Sequence, residues 1–104
     1  MKKVTAAAVA AFLKGKEFKS SNTSVEVRPF KDETVISAIL KLHGNVIARR
    51  HVGKSGVWVC DGGWQTRTTK ERLNGIPGVN VIQRNGDWFL SGEPWDGYWA
   101  RVEN

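Results

Sequence analysis

At 104 residues, 40% of them hydrophobic, the chain has the length for one globular domain with a single modest core. A formal net charge of +6 and a pI near 9.8 favour polyanionic partners. A lone cysteine, Cys60, excludes an intramolecular disulfide and a cysteine-based zinc set, and suits a reducing compartment.

The alanine-rich stretch Val4 to Lys14 has the highest helix propensity in the chain, and Gly15 supplies a stop. It is read as a helix that packs Val4, Ala8 and Phe12 on a sheet. Met1-Lys2-Lys3 before an apolar run imitates a secretory signal. Lys14-Gly15-Lys16-Glu17 follows where a polar stretch and small-residue cleavage site would stand, and the run is too short to span a bilayer. A soluble protein of the cytoplasm is therefore expected, with no membrane partner.

Val25 and Val27 alternate with polar residues before Pro29, the pattern of a short edge strand. Val35 to Leu42 and Val46 to Val52 flank His43-Gly44-Asn45 and predict a hairpin of open register, with Val57 to Cys60 as the next strand. Thr68 with Glu71 three residues on forms a capping-box pattern, and Gly75 with Pro77 supplies the end, which predicts a two-turn helix over Thr69 to Asn74. Val79 to Gln83 and Trp88 to Leu90 form a hairpin about Asn85-Gly86 that sets Arg84 opposite Asp87 and Ile82 opposite Phe89. A turn through Glu93-Pro94-Trp95-Asp96-Gly97 leads to a last strand, Tyr98 to Val102. The expected fold class is α+β: a mostly antiparallel meander of six or seven strands with an N-terminal helix and one short inserted helix.

Charge is uneven along the chain. Residues before Leu73 hold fourteen Lys/Arg against six Asp/Glu, and those from Leu73 onward two against four. The segment Trp64 to Arg72 places Thr66, Thr68 and Thr69, the cations Arg67, Lys70 and Arg72, and Trp64 around the start of the second helix. There, unpaired N–H groups and the helix dipole favour an anion. Threonine hydroxyls and cations are the common positioning contacts to a nucleic-acid backbone, and Trp64 offers a stacking surface for a base. Set against this, Thr68 serves equally as a cap, Trp64 as core, and the cations as a solvated face. Arg49, Arg50 and His51 form a second basic group with Lys54. Strand alternation puts Arg49 and His51 on one side and Arg50 on the other.

Five tryptophans is a high count for this length, and most are expected in the core. Trp95 and Trp99 flank a turn beside Asp96 and Glu93, an arrangement suited to a protein partner because carboxylates repel phosphate. His43, His51 and Cys60 match no nucleophile–base or metal-ligand spacing, and the glycines form no nucleotide fingerprint. No enzyme activity, cofactor or metal is expected.

Three blocks together, Leu42-His43-Gly44-Asn45-Val46-Ile47-Ala48, Gly63-Trp64-Gln65-Thr66-Arg67-Thr68-Thr69-Lys70-Glu71-Arg72-Leu73-Asn74 and Trp95-Asp96-Gly97-Tyr98-Trp99, resemble a group of small proteins of unassigned function encoded by bacteriophages and prophages. The resemblance runs from about Ser21 onward. It implies a phage origin and action in the host cytoplasm, it carries over no catalytic residue, and it suits two roles. One is nucleic-acid binding through Trp64, Thr66, Arg67, Thr68, Thr69, Lys70, Arg72, Arg49 and Arg50. The other is inhibition or redirection of a host protein through Trp95 and Trp99. The sequence leaves oligomeric state and the choice of DNA or RNA open.

Overall fold

The computed structural model describes residues 1–30 and 35–104 and has the expected α+β class. Helix α1, Lys3–Lys14, buries Thr5, Ala8, Val9 and Phe12, the three-to-four spacing of one helical face. Complete burial of Phe12 alone contributes about 1.5–3 kcal/mol. The helix ends where Gly15 turns left-handed at φ 72°.

Strands β1 (Phe18–Ser20), β2 (Thr23–Phe30), β3 (Val35–Leu42), β4 (Asn45–His51) and β5 (Val57–Val59) follow, then helix α2 (Arg67–Asn74). The remaining strands are β6 (Val81–Arg84), β7 (Asp87–Leu90), β8 (Glu93–Pro94) and β9 (Ala100–Val102). They do not form one meander. Strands β1 to β5 lie in chain order, β9 returns to pair with β5, and β6 to β8 make a separate three-stranded sheet.

Strand β2 is an interior strand at one end only. β1 pairs with Thr23 to Val25, and the half that contains Pro29 lies beyond its reach, so the missing proline N–H interrupts no ladder on that side. The first hairpin turns on His43 and Gly44, with Leu42 opposite Asn45. A bulge follows: Leu40 pairs with Ala48 and Lys41 with Val46, which leaves Ile47 as the extra residue. Ile47 and Ala48 both point into the core, and beyond them Arg49 faces outward and Arg50 inward. The second hairpin has the expected register, Arg84 opposite Asp87 and Ile82 opposite Phe89.

Both helices and the core residues Val81, Trp88 and Leu90 of the small sheet cover one face of the large sheet. The helices approach closely at Gly75, where an added Cβ would stand 2.6 Å from Thr5 Cγ2 and 3.1 Å from Val9 Cγ2. Gly75 is needed for that contact, not for a left-handed stop, because its φ is −74°. Among the described residues no helix or second sheet covers the opposite face of the large sheet, and its outward strand positions are the site's starting material.

Candidate functional site

The second helix begins two residues earlier than the capping-box pattern implies. Thr66 is the N-cap and its Oγ1 accepts from the Thr69 N–H at 3.1 Å, while the Thr69 hydroxyl donates to the Trp64 carbonyl at 3.3 Å. Thr68 is not the cap, because Glu71 is engaged elsewhere: it accepts from the Thr5 hydroxyl and the Lys2 N–H and pairs with Arg72. Burial pushes the Glu71 carboxyl up, but these hydrogen bonds outweigh it and hold the group below the ordinary carboxylate range.

Around this helix start lies a cleft of about 370 Å³, lined by Trp64, Thr66 and Thr68 with His43, Asn45 and Asp61. Leu42, Ile47 and Thr69 form its floor. Trp64 is 67% exposed and stands at its rim, not in the core. Among the described residues no lysine or arginine lines the cleft, and Asp61 contributes a carboxylate.

The expected cations do not converge here. Arg67 is exposed near the cleft without lining it. Lys70 donates to Gln83 Oε1 at 2.7 Å and lies over the Trp88 ring at 5.9 Å. Arg72 is 5% exposed and structural, donating to Thr23 Oγ1 at 3.0 Å and Thr5 Oγ1 at 2.8 Å. Arg50 reaches under the sheet to the end of α1, where it donates to the carbonyls of Leu13 at 2.8 Å and Lys54 at 3.2 Å. That end of β4 is about 20 Å from Asn45 at the cleft, by the rise of a strand. Burial of Arg72 and the engaged guanidinium of half-buried Arg50 remove both from the phosphate-contacting set: the first completes a polar core, the second satisfies the Leu13 carbonyl at the end of α1 and the Lys54 carbonyl in the turn after β4.

The open sheet face gathers what the helix start lacks. Among the described residues its outward strand positions carry Lys19, Arg28, Lys41, Arg49 and Arg101 against one carboxylate, Glu26. Glu26 is occupied by Lys41 at 2.6 Å and Arg28 at 2.8 Å, and those two hydrogen bonds lower its pKa. Arg101 pairs with Glu103. Arg49 has no hydrogen-bond or ion-pair partner among the described residues. Trp58, 45% exposed, stands between Arg49 on β4 and Arg101 on β9 in direct cross-strand register. Arg49, His51, Trp58 and Trp99 line a depression of about 300 Å³, and Ser37 Oγ lies 3.1 Å from His51 Nδ1.

The alternative aromatic pair divides. Trp95 is half-buried, packs tilted against Trp88 with ring centroids 6.0 Å apart and planes at 36°, and spends its Nε1–H on the Tyr98 carbonyl. Trp99 is 37% exposed and belongs to the depression beside Arg49. Of the five tryptophans only Trp88 is fully buried, which reverses the expectation that most fill the core. Trp58 was the residue that sequence reasoning passed over. The signal was its place in Val57-Trp58-Val59, where alternation forces it to face away from two buried valines.

Cys60 is buried, and that burial raises its thiol pKa. Among the described residues no three His, Cys, Asp or Glu side chains come together as a metal site, and no helix is long and apolar enough to cross a membrane.

Fold and surface together define a small basic α+β protein with one sheet face open. The chain matches the model of the Kyanoviridae Gp96 protein over residues 1–101 and belongs to that bacteriophage family. The match takes in the N-terminal helix, which the motif resemblance from Ser21 onward left out. No curated protein and no solved structure matches the chain.

Proposed function

We propose that this phage protein binds nucleic acid in the host cytoplasm, and that it does so on the open sheet face instead of through the start of α2 alone. The observation that carries the reading is Trp58 held between Arg49 and Arg101 on a surface where outward cations outnumber carboxylates. An exposed indole between guanidinium groups offers a base-stacking plane and phosphate contacts at one strand's spacing. Arg49 supports it most directly, since among the described residues its guanidinium has no ion pair to give up when it engages a phosphate. Arg28 and Lys41 add attraction while sharing Glu26. Trp64, Thr66 and Thr68 remain in the proposal as a flank at the adjacent cleft, with Arg67 exposed near it and buried Thr69 holding the Trp64 carbonyl from below.

The test is fluorescence anisotropy with labelled oligonucleotides across a salt series. Binding should weaken steeply with salt, each lost phosphate contact lowering the log–log slope by roughly 0.7–0.9. The double substitution R49A/R101A should weaken binding for all sequences alike, whereas Arg67→Ala should have a smaller effect. No binding of any oligonucleotide at low salt overturns the reading.

A further inference from the structure

A third depression joins the two already described. It is lined by Val46, Cys60, Gly97 and Tyr98 together with residues of both neighbours: Asn45, Asp61 and Gly62 are shared with the Trp64 cleft, and Trp99 with the Arg49 depression. The three therefore adjoin one another through these residues. Each carries exposed aromatic surface: Trp58 and Trp99 in the first, Tyr98 in the middle at 74% exposure, and Trp64 in the last.

The course of this band is not flat. Arg49 and Trp58 point away from the helices, whereas Leu42 and Ile47 on the floor of the Trp64 cleft point toward them. The band thus passes from the open sheet face, round the end marked by the His43-Gly44 turn, to the helix-covered face. Its charge changes along the way. Arg49 lies at one end; among the described residues no lysine or arginine lines the middle depression or the Trp64 cleft, while Asp61 lines both. Asp61 accepts from the Gly63 N–H at 2.7 Å, and Asp96 from the Tyr98 N–H at 2.9 Å, so both carboxylates are fixed in place.

Resting on the nucleic-acid reading above, we propose that the ligand is single-stranded, and that it wraps this end of the sheet with phosphates on the Arg49 side and unstacked bases on Tyr98 and Trp64. Two physical arguments disfavour a duplex on the same course. Double-stranded DNA has a persistence length of about 50 nm, so wrapping it round the end of a molecule whose extents are 43 × 27 × 21 Å carries a bending cost that a flexible single strand does not. Its bases also present their edges and not their faces, so the aromatic band would meet nothing to stack on. The acidic middle carries the same message. A phosphate there would be repelled by Asp61, whereas a base placed there brings exocyclic amino or ring N–H donors that a carboxylate accepts.

The experiment uses the full chain with oligothymidylates of about four to sixteen nucleotides, the span of site sizes for small single-strand binders. A blunt hairpin duplex of matched phosphate number serves as the comparison, and intrinsic tryptophan quenching and anisotropy are the readouts. The longer single strands should bind about tenfold or more tighter than the duplex, and Trp64→Ala should weaken them by roughly 5- to 150-fold, the range for loss of one stacked base. Trp64→Phe should retain most of the affinity, which separates stacking from a fault in folding. The shortest strands, seated at Arg49 and Trp58, should be indifferent to Trp64→Ala and lose binding with Trp58→Ala. Equal affinity for duplex and single strand overturns this inference and leaves the nucleic-acid reading standing, as does full affinity of long strands for Trp64→Ala. Failure of every nucleic acid to bind overturns both.

Discussion

Replacing Arg72 with methionine should destabilise the protein by about 3 kcal/mol. Its guanidinium bridges both helices and β2, donating to Thr23 and Thr5 and pairing with Glu71. Methionine fills the stem's volume and donates nothing, so two buried hydroxyls lose their donors and a carboxylate loses its counter-charge. Removing one partner of a buried pair costs about 3–5 kcal/mol, and the 25% exposure of the Glu71 side chain places the expectation at the lower end. For a domain of this size that lowers the thermal midpoint by about 10–20 °C. Urea unfolding followed by tryptophan fluorescence, with circular dichroism melts beside it, measures both. The pair E71Q/R72M should cost less than the two single changes added together, by about 1–3 kcal/mol, because the stranded charge is gone. A cost for R72M under about 1 kcal/mol, at unchanged denaturant slope, refutes the polar-core account of Arg72.

Thr66→Ala should cost about 1 kcal/mol as the loss of an N-cap, and Thr68→Ala under about 0.5 kcal/mol, measured by the same urea transitions. Gly75→Ala should destabilise by about 1–3 kcal/mol despite alanine's better helix propensity, since its methyl would meet the immobile Thr5 and Val9 side chains. The folded pKa of Glu71 lies below its ordinary value of 4.5, so its contribution is complete above that value and is lost as the pH falls through the folded pKa. Urea midpoints taken from neutral to acid pH should hold level and then drop below about pH 4.5, and the drop should be shallower in Glu71→Gln.

Local chemistry made much of this fold legible. The alanine-rich helix with Gly15 behind it, the Asn85-Gly86 turn with its register, and the alternation that separates Arg49 from Arg50 all follow from spacing within a few residues. What spacing did not reveal depends on distant partners. Thr68 and Glu71 have the right separation for a capping box, but Thr5 and Arg72 capture the carboxylate and Thr66 takes the cap. Arg72 reads as a surface cation until α1 and β2 close over it, and the return of β9 beside β5 has no local signal at all. That return completes the candidate site, because it places Arg101 and Trp99 against Trp58 and Arg49. The basic cluster expected around one helix end was thus a property of chain order, and the folded cations are sorted by strand face instead.

Ile47, the extra residue in β4, sets the phase of everything after it. With the bulge, Ile47 and Ala48 both face the core and Arg49 and His51 look outward; were Ile47 to take an ordinary ladder place, alternation from Val46 would turn Arg49 inward and Arg50 to the solvent side. Regularising the ladder would therefore exchange the arginine that steadies the end of α1 for the one on the open face, with no change in composition or net charge. Deleting Ile47 outright would keep the pairs Lys41–Val46 and Leu40–Ala48 and with them the outward place of Arg49, so the face depends on the kink's conformation, something a comparison of charged residues alone would overlook.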